Sequence, residues 1–377
     1  MRSYSLNPKF LSEERIPLKS SIRTGRPLLV GTHLESNGIY ACRLDLATGA
    51  LGEAEIAADA PRPGFLALHP QRPWVYAITA EPRQPNGGVR AWRIAPGDDL
   101  LSPLNQQPTG DMGATHLAIN PGGTMLLIAH YGGGSTALVP LAPDGALKPV
   151  ISLVKHVGAS AHPTRQTEPH AHGVAIDGGG RFFFIADLGT DEVIVYQIAG
   201  GGQLERVSAW KARSGSGPRH LAFHPNGKWL YLINELTSTV SVLAFDSRAG
   251  VLSDLQTVTT LPHDFRGEKT AGEIVIHPSG QFVYGSNRGH DSTAVFAVDA
   301  DRGTLTLVEI EPTGGGHPRS IGVDPTGNFL IAANRDSDNL VSFRIDATTG
   351  GLAPTGFETR VPRPVCVVFP TLGASGE

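Results

Sequence analysis

The chain has 377 residues, 40% of them hydrophobic and only 18% charged, with a formal net charge of −4 and just two cysteines. That balance describes a packed protein rather than a disordered one. It carries no basic run that would suit nucleic acid, too few cysteines for a disulfide framework or a cysteine-based zinc site, and no apolar stretch near the ~18 residues a membrane helix needs. Gly (46) and Pro (29) make up about a fifth of the chain, against a usual share of roughly 12%, so turns must be frequent.

Residues 1–27 carry scattered charges and no apolar h-region. They read as a surface arm rather than a secretory signal, and the compartment expected is the cytoplasm. From residue 28 the chain becomes strand-like. Leu28–Gly31, Ile39–Leu44 and Gly52–Ala57 stand as second, third and fourth strands of a unit whose first strand is missing at this end. The next stretches repeat one pattern: a short apolar strand, a Pro/Gly turn and a second apolar strand. Gly64–Tyr76, Thr115–Leu127, His172–Phe184, Pro218–Tyr231, Gly272–Tyr284 and Arg319–Leu330 are copies, and Pro364–Pro370 is a last half copy. With the turn as anchor, the copies fall at Pro70, Pro121, Gly178, Pro225, Pro278, Pro325 and Pro370, seven units of about 50 residues. A third strand, a Gly turn such as Ala249-Gly250-Val251-Leu252, and a fourth strand complete each unit.

Four short antiparallel strands per repeat, repeated seven times without helical periodicity between them, predict an all-β, seven-bladed β-propeller over residues 28–370, with a tail at 371–377. Val365–Phe369 supplies the first strand that the start of the chain lacks, so pairing the N-terminal strands with the C-terminal one closes the ring and leaves no open edge. Cys42 and Cys366 then share a blade two strands apart, roughly 9.5 Å, beyond disulfide reach, so two free thiols are expected. His69, His224 and His277 each precede an anchor proline and read as turn-capping residues, and Trp74 and Trp229 as packing in second strands.

Counting from the anchors locates the chemistry. The residue six before the anchor and the residue ten after it are neighbours at one end of each blade, at one mouth of the channel. Six before stand Gly64, Thr115, His172, Arg219, Gly272, Arg319 and Pro364; ten after stand Ala80, Tyr131, Leu188, Glu235, Arg288 and Arg335. The position just ahead of the latter holds Thr79, His130, Asp187, Asn234, Asn287 and Asn334. Any single charged strand end is ordinarily just solvated. Here the charges gather at one end of blades three to six, while the opposite ends carry the Pro-x-Gly turns. The excess of arginine suits an anionic ligand, a carboxylate or phosphate that guanidinium grips bidentately. His170 and His172 share a strand face, but no carboxylate completes a local metal set, so no metal and no cofactor is expected.

The runs Arg165-Gln166-Thr167-Glu168-Pro169-His170-Ala171-His172-Gly173, Gly217-Pro218-Arg219-His220, Asn234-Glu235-Leu236, Ser286-Asn287-Arg288-Gly289-His290, His317-Pro318-Arg319 and Asn334-Arg335-Asp336-Ser337-Asp338-Asn339 resemble the seven-bladed lactonase family. That family includes propeller-type bacterial 6-phosphogluconolactonases and fungal carboxy-muconate cyclases, and the resemblance spans residues 28–370. It implies a lactone hydrolase with Arg219, Glu235 and Arg288 as catalytic residues together with His172 or His170, the motifs fitting either histidine. Arg319, Arg335, His130, Tyr131, Asp187, Asn234 and Asn287 are the expected substrate contacts. Arg335 stands where many members carry Gln. Arginines beside Glu235 favour its charged form and weaken it as a base, which leaves a histidine as the better base for water and arginine for the oxyanion. Two other functions fit the same residues: a cycloisomerase closing a muconate-type lactone, and a non-catalytic binding propeller. The expected partner is a small anionic lactone or a related carboxylate or phosphate, with neither nucleic acid nor membrane, and a chain acting as a monomer or small homo-oligomer.

Overall fold

The computed structural model describes residues 25–33, 36, 38–80, 87–95 and 101–370; most of the expected arm and all of the tail lie outside these. Seven four-stranded antiparallel sheets form the ring. Blade one comprises β4 (Phe65–Leu68), β5 (Trp74–Thr79), β6 (Gly88–Ile94) and β7 (Leu101–Pro108), and blade two β8 (Ala114–Ile119), β9 (Met125–His130), β10 (Ser135–Pro140) and β11 (Ser152–Lys155). Blade three follows with β12 (Ala171–Ile176), β13 (Phe182–Asp187), β14 (Glu192–Ile198) and β15 (Leu204–Lys211), and blade four with β16 (Pro218–Phe223), β17 (Trp229–Asn234), β18 (Thr239–Asp246) and β19 (Val251–Thr259). Blade five holds β20 (Thr270–Ile276), β21 (Phe282–Arg288), β22 (Ser292–Val298) and β23 (Leu305–Pro312), and blade six β24 (Pro318–Val323), β25 (Phe329–Asn334), β26 (Asn339–Ile345) and β27 (Leu352–Arg360). The seventh blade joins the two ends of the chain, pairing β28 (Pro364–Val368) with β1 (Arg26–Thr32), β2 (Gly38–Leu44) and β3 (Glu55–Asp59).

Burial follows each strand's place in its blade. Second strands such as β5, β13, β17 and β25 are buried at every residue, because neighbouring blades cover both faces. They therefore read as continuous apolar runs rather than alternating ones. The outermost strands are mostly exposed and polar. Trp74 and Trp229 lie in the core of second strands. Cys42 and Cys366 are buried and are not joined in a disulfide.

The turn histidines cap their own turns and also latch neighbouring blades. His224 Nδ1 accepts from Asn226 N–H at 3.1 Å, while Nε2 meets the Gly280 carbonyl of the next blade at 3.0 Å. His69 and His277 make the same reach to Gly123 and Gly327. Gly280 runs at φ +77°, and a Cβ there would stand 2.7 Å from the His224 ring, so this position needs glycine twice over.

At the other end of the blades the inner strands share an irregularity. The register between first and second strands slips by one residue at Thr115, His172, Arg219 and Arg319, each left between paired neighbours with no partner of its own. These are β-bulges, which re-aim a side chain out of the pleat. In these four blades the repeat position six before the anchor is thus a bulge, and its side chain borders the mouth of the channel.

Candidate active site

Glu235, the residue after β17, stands at the centre of the mouth. Its Oε2 lies 3.0 Å from Arg219 Nε and 2.8 Å from Arg288 Nη2, and its Oε1 lies 2.6 Å from Arg165 Nη2. Burial opposes ionisation of this carboxyl. The guanidiniums of Arg288, Arg219 and Arg165 together outweigh that cost and hold it well below the usual carboxylate range. Arg219, 1% exposed, also donates to the Gly272 carbonyl, and Arg288 donates to the Ala271 carbonyl through Nε and Nη2. Burial, then repulsion from Arg288, brings the Arg219 guanidinium down to about 10.

His172 enters from its bulge with Nε2 3.8 Å from Glu235 Oε2 and no hydrogen bond among the described residues. Burial, with Arg219 next, holds its imidazole far below the ordinary value of 6.5, so it is neutral at physiological pH. The Tyr131 ring meets His172 edge-on at 5.5 Å, and its hydroxyl accepts from Arg165 at 3.2 Å. Beneath lies a buried aromatic and histidine floor. His220 packs on His172 and His116 at ring separations of 5.1 and 4.6 Å, and its Nδ1 is 2.7 Å from Glu273 Oε1. Among the described residues no three His, Cys, Asp or Glu side chains converge as metal ligands would.

Arg319 differs from the other arginines. It makes no hydrogen bond or ion pair among the described residues, although it borders the same space. Its guanidinium stays wetted by the channel while protein surrounds it, and burial, followed by Arg219 and Arg288, brings it down to about 9. Two lobes open at the mouth. One, of about 480 Å³, is lined by Tyr131, Arg165, His172, Glu235, Arg288 and Arg319. The other, of about 370 Å³, shares His33, His172 and Arg319, is also bordered by Arg219, and runs towards blades one and seven, where it meets Arg62, Phe65, Ile78 and Val365.

The structure therefore brings together His172, Arg219, Glu235, Arg288, Arg319 and Tyr131. His170 stands one layer out. It stacks on Tyr131 at 4.4 Å, its Nδ1 is bonded to the Tyr131 carbonyl, and it lines neither lobe. His130, Asp187, Asn234 and Asn287 line neither lobe either. Their side chains bond within their blade or to the connection arriving from the preceding one: His130 to Ser135, Asp187 to His156, Asn234 to Thr239 and Ser241, and Asn287 to Thr260 and Ser292. Arg335 turns to Asp336 at 2.7 Å on the exposed connection after β25. Arg165 and His33 were not singled out by the repeat, because they sit in connecting segments with no fixed offset from an anchor; Arg62 stands eight before Pro70, the offset of Gly113, Gly217 and His317 from their anchors, one turn ahead of the positions counted. Arg165 had one available signal: it opens the run that ends at His172.

A family model described as "Lactonase, 7-bladed beta-propeller" matches residues 27–369. A protein of Bacillus subtilis named 6-phosphogluconolactonase is 36% identical over 292 residues, 77% of this chain and 82% of that one. One of the same name from Formosa agariphila is 31% identical over 71% of this chain and 78% of its own. Among solved structures, a periplasmic gluconolactonase of Pseudomonas aeruginosa superposes with a TM-score of 0.87 at 32% identity, covering 92% of this chain and 99% of that one.

Proposed function

The chain belongs to the seven-bladed β-propeller lactonase family, and from that premise we propose that it opens an anionic sugar lactone, of the 6-phosphogluconolactone type, by direct attack of water. The observation that carries this reading is a neutral, cavity-facing His172 Nε2 beside a guanidinium, Arg319, that makes no ion pair or hydrogen bond among the described residues. With its proton on Nδ1, His172 offers the Nε2 lone pair to a water above the lobe. The water oxygen bonds to the lactone carbonyl carbon as its proton passes to Nε2. The imidazolium so formed faces the Glu235 carboxylate, which stabilises it. Arg319 and the unused edge of Arg288 face the carbonyl oxygen as it becomes an oxyanion. The tetrahedral centre then collapses, the bond from the carbonyl carbon to the ring oxygen breaks, and that oxygen takes the proton back from His172. Lactone and water become a hydroxy acid with no covalent enzyme intermediate. Glu235 is the fixed counter-ion of the site, since three arginines already occupy its oxygens.

The test is hydrolysis of 6-phosphogluconolactone by the wild-type protein and by His172→Ala, against the spontaneous rate. Turnover by the wild type that falls to the spontaneous rate in the variant supports the reading. A variant as fast as wild type removes His172 as the base, and a wild type no faster than buffer removes the lactonase reading.

A further inference from the structure

A base at His172 Nε2 works in only one of the two neutral forms of the ring, the one with its proton on Nδ1. The nearest charge favours the other form, because the Glu235 carboxylate lies 3.8 Å from Nε2 and draws a proton to it. Which nitrogen of a neutral imidazole carries the proton is set by the hydrogen bond that the other one makes. Some acceptor must therefore hold the proton at Nδ1, an atom that is buried and has no hydrogen bond among the described residues.

The floor beneath the mouth supplies an acceptor. His220, on β16, packs on His172 at a ring separation of 5.1 Å. Its Nδ1 lies 2.7 Å from Glu273 Oε1, an oxygen that already accepts from the Ile274 N–H at 3.1 Å. An oxygen that takes one N–H bond is placed to take another, so the proton of this pair stands on His220 Nδ1. Arg219 Nη1 is farther from Nδ1, at 3.3 Å, and donates to the Gly272 carbonyl instead. Burial, then Arg219, holds the His220 imidazole far below the ordinary value of 6.5, so the ring is neutral and carries that one proton. Burial also raises the Glu273 carboxyl, with Arg219 drawing it back, which makes its carboxylate a strong acceptor. His220 Nε2 is then a bare lone pair, and it too is buried without a hydrogen bond among the described residues. A donor lacking an acceptor and an acceptor lacking a donor thus stand on two rings in contact.

We propose that Glu273 and His220 set the tautomer of His172. One water held between the rings accepts from His172 Nδ1–H and donates to His220 Nε2, while Glu273 fixes His220 from behind. Both rings border the same lobe, which gives that water its room. The groups follow one another along neighbouring inner strands, β20, β16 and β12. When His172 Nε2 takes the proton of the attacking water, Nδ1–H becomes a stronger donor and its bond tightens. The imidazolium is thereby stabilised from below as well as by Glu235. No proton leaves Nδ1, and the one on Nε2 returns to the oxygen of the opening lactone ring, so the balance of the reaction is unchanged. His220 and Glu273 act through His172 and are positioning residues. That His172 is the base rests on the function proposed above.

The test reads the tautomer with no substrate present. In protein labelled at its histidine nitrogens, N–H and bare ring nitrogens resonate far apart, and His172→Gln identifies the His172 signals by their loss. Wild type at neutral pH is expected to carry the proton on His172 Nδ1. Glu273→Gln, isosteric and uncharged, is expected to move it to Nε2. The same variant should lower kcat for 6-phosphogluconolactone about 10- to 100-fold, the scale for removing a group that orients a histidine from behind, with KM within about twofold. Glu273→Asp keeps the charge and is expected to keep the Nδ1 form and to turn over faster than Glu273→Gln. A packing role predicts the opposite order, since Asp leaves the larger gap. Where Glu273→Gln alone fails to fold, adding His220→Phe replaces the pair with uncharged groups of similar size, and the double variant is read in the same way. A wild-type proton on Nε2, a tautomer that these variants leave in place, or an Asp variant slower than the Gln one overturns the proposal. A tautomer that answers Glu273 in a protein that opens no lactone overturns the lactonase reading and leaves the orientation of His172 standing. Lactone opening that depends on His172, with a tautomer and kcat indifferent to Glu273, does the reverse.

Discussion

The mouth of the channel has two halves built on different electrostatic terms. Around Glu235 every charge is answered: one carboxylate takes three arginines, two of which also bind backbone carbonyls. Arg319 and Arg62 make no ion pair or side-chain hydrogen bond among the described residues, and Arg319 feels Glu235 only through its field. The first arrangement costs desolvation of both signs, and its return is side chains held in place before any ligand arrives. The second is a deficit of negative charge that an anion can fill. On the function proposed, the paired half is the scaffold for the reacting atoms and the unpaired half the receptor.

The largest effects should separate the halves cleanly. Glu235→Gln leaves three arginines facing one another without their anion. Removing one partner from a buried ion cluster is expected to cost about 3–5 kcal/mol of stability, with turnover lost alongside. Arg319→Met removes a cation with no ion-pair partner among the described residues. It should leave the urea midpoint unchanged or higher, while kcat/KM falls about 10²–10³-fold, the scale for one oxyanion donor. If Glu235→Gln unfolds with the wild type, or Arg319→Met is the variant that destabilises, the division into scaffold and receptor is wrong.

The sequence shows why one half was the easier to find. His172, Arg219, Arg319, Glu235 and Arg288 occupy fixed offsets from the turn anchors, so counting along seven copies of one strand pair finds them. In blades two to six the offset at nine after the anchor fails to reach the lobes, although Thr79 of blade one does reach one, and the reason is physical. Successive side chains on a strand point to opposite faces, so if Glu235 and Tyr131 face the channel, Asn234 and His130 must face their own blade. The bulges were not visible, because a one-residue slip in pairing leaves no mark in composition. His33 and Arg165 ride on connections whose length varies from blade to blade, and no count from an anchor reaches them, while Arg62 stands eight before its anchor at a turn position that holds glycine in Gly113 and Gly217. The receptor half is built mainly from such residues, and this hid it.

His130 offers a smaller test of the same division. Burial brings its imidazole down to about 4 in the fold, against about 6.5 in the unfolded chain. Below pH 6.5 the unfolded chain takes up a proton that the fold refuses, so this residue's share of stability is present above that pH and drains away as the pH falls towards 4. Between pH 7 and pH 5 the loss is about 2 kcal/mol for one such group. His130→Gln should flatten the stability profile by that amount over the interval and keep kcat/KM at pH 7.5 within about twofold. Overlaying pH profiles would show that His130 charges freely inside the fold. A tenfold loss of turnover would move His130 from the scaffold to the mouth.

The smallest expected effect belongs to Arg335, where contact and distance must be told apart. Its guanidinium meets Asp336 at 2.7 and 3.1 Å on a partly exposed turn, and it borders neither lobe. A pair this open contributes little, so Arg335→Gln should change stability by less than about 0.5 kcal/mol. Its influence on the ligand is through the field alone. Asp336 already offsets the charge and also meets Arg363 and His317. What remains should raise the capture of an anionic substrate slightly at low ionic strength and be screened away in salt, where the Debye length falls to about 3 Å at 1 M. Initial rates at low substrate in low and high salt separate the cases: a loss of about twofold or less that disappears in salt is the field effect. A loss beyond tenfold that persists in salt would mean that Arg335 swings off Asp336 to touch the substrate, and the receptor half would then extend along blade six.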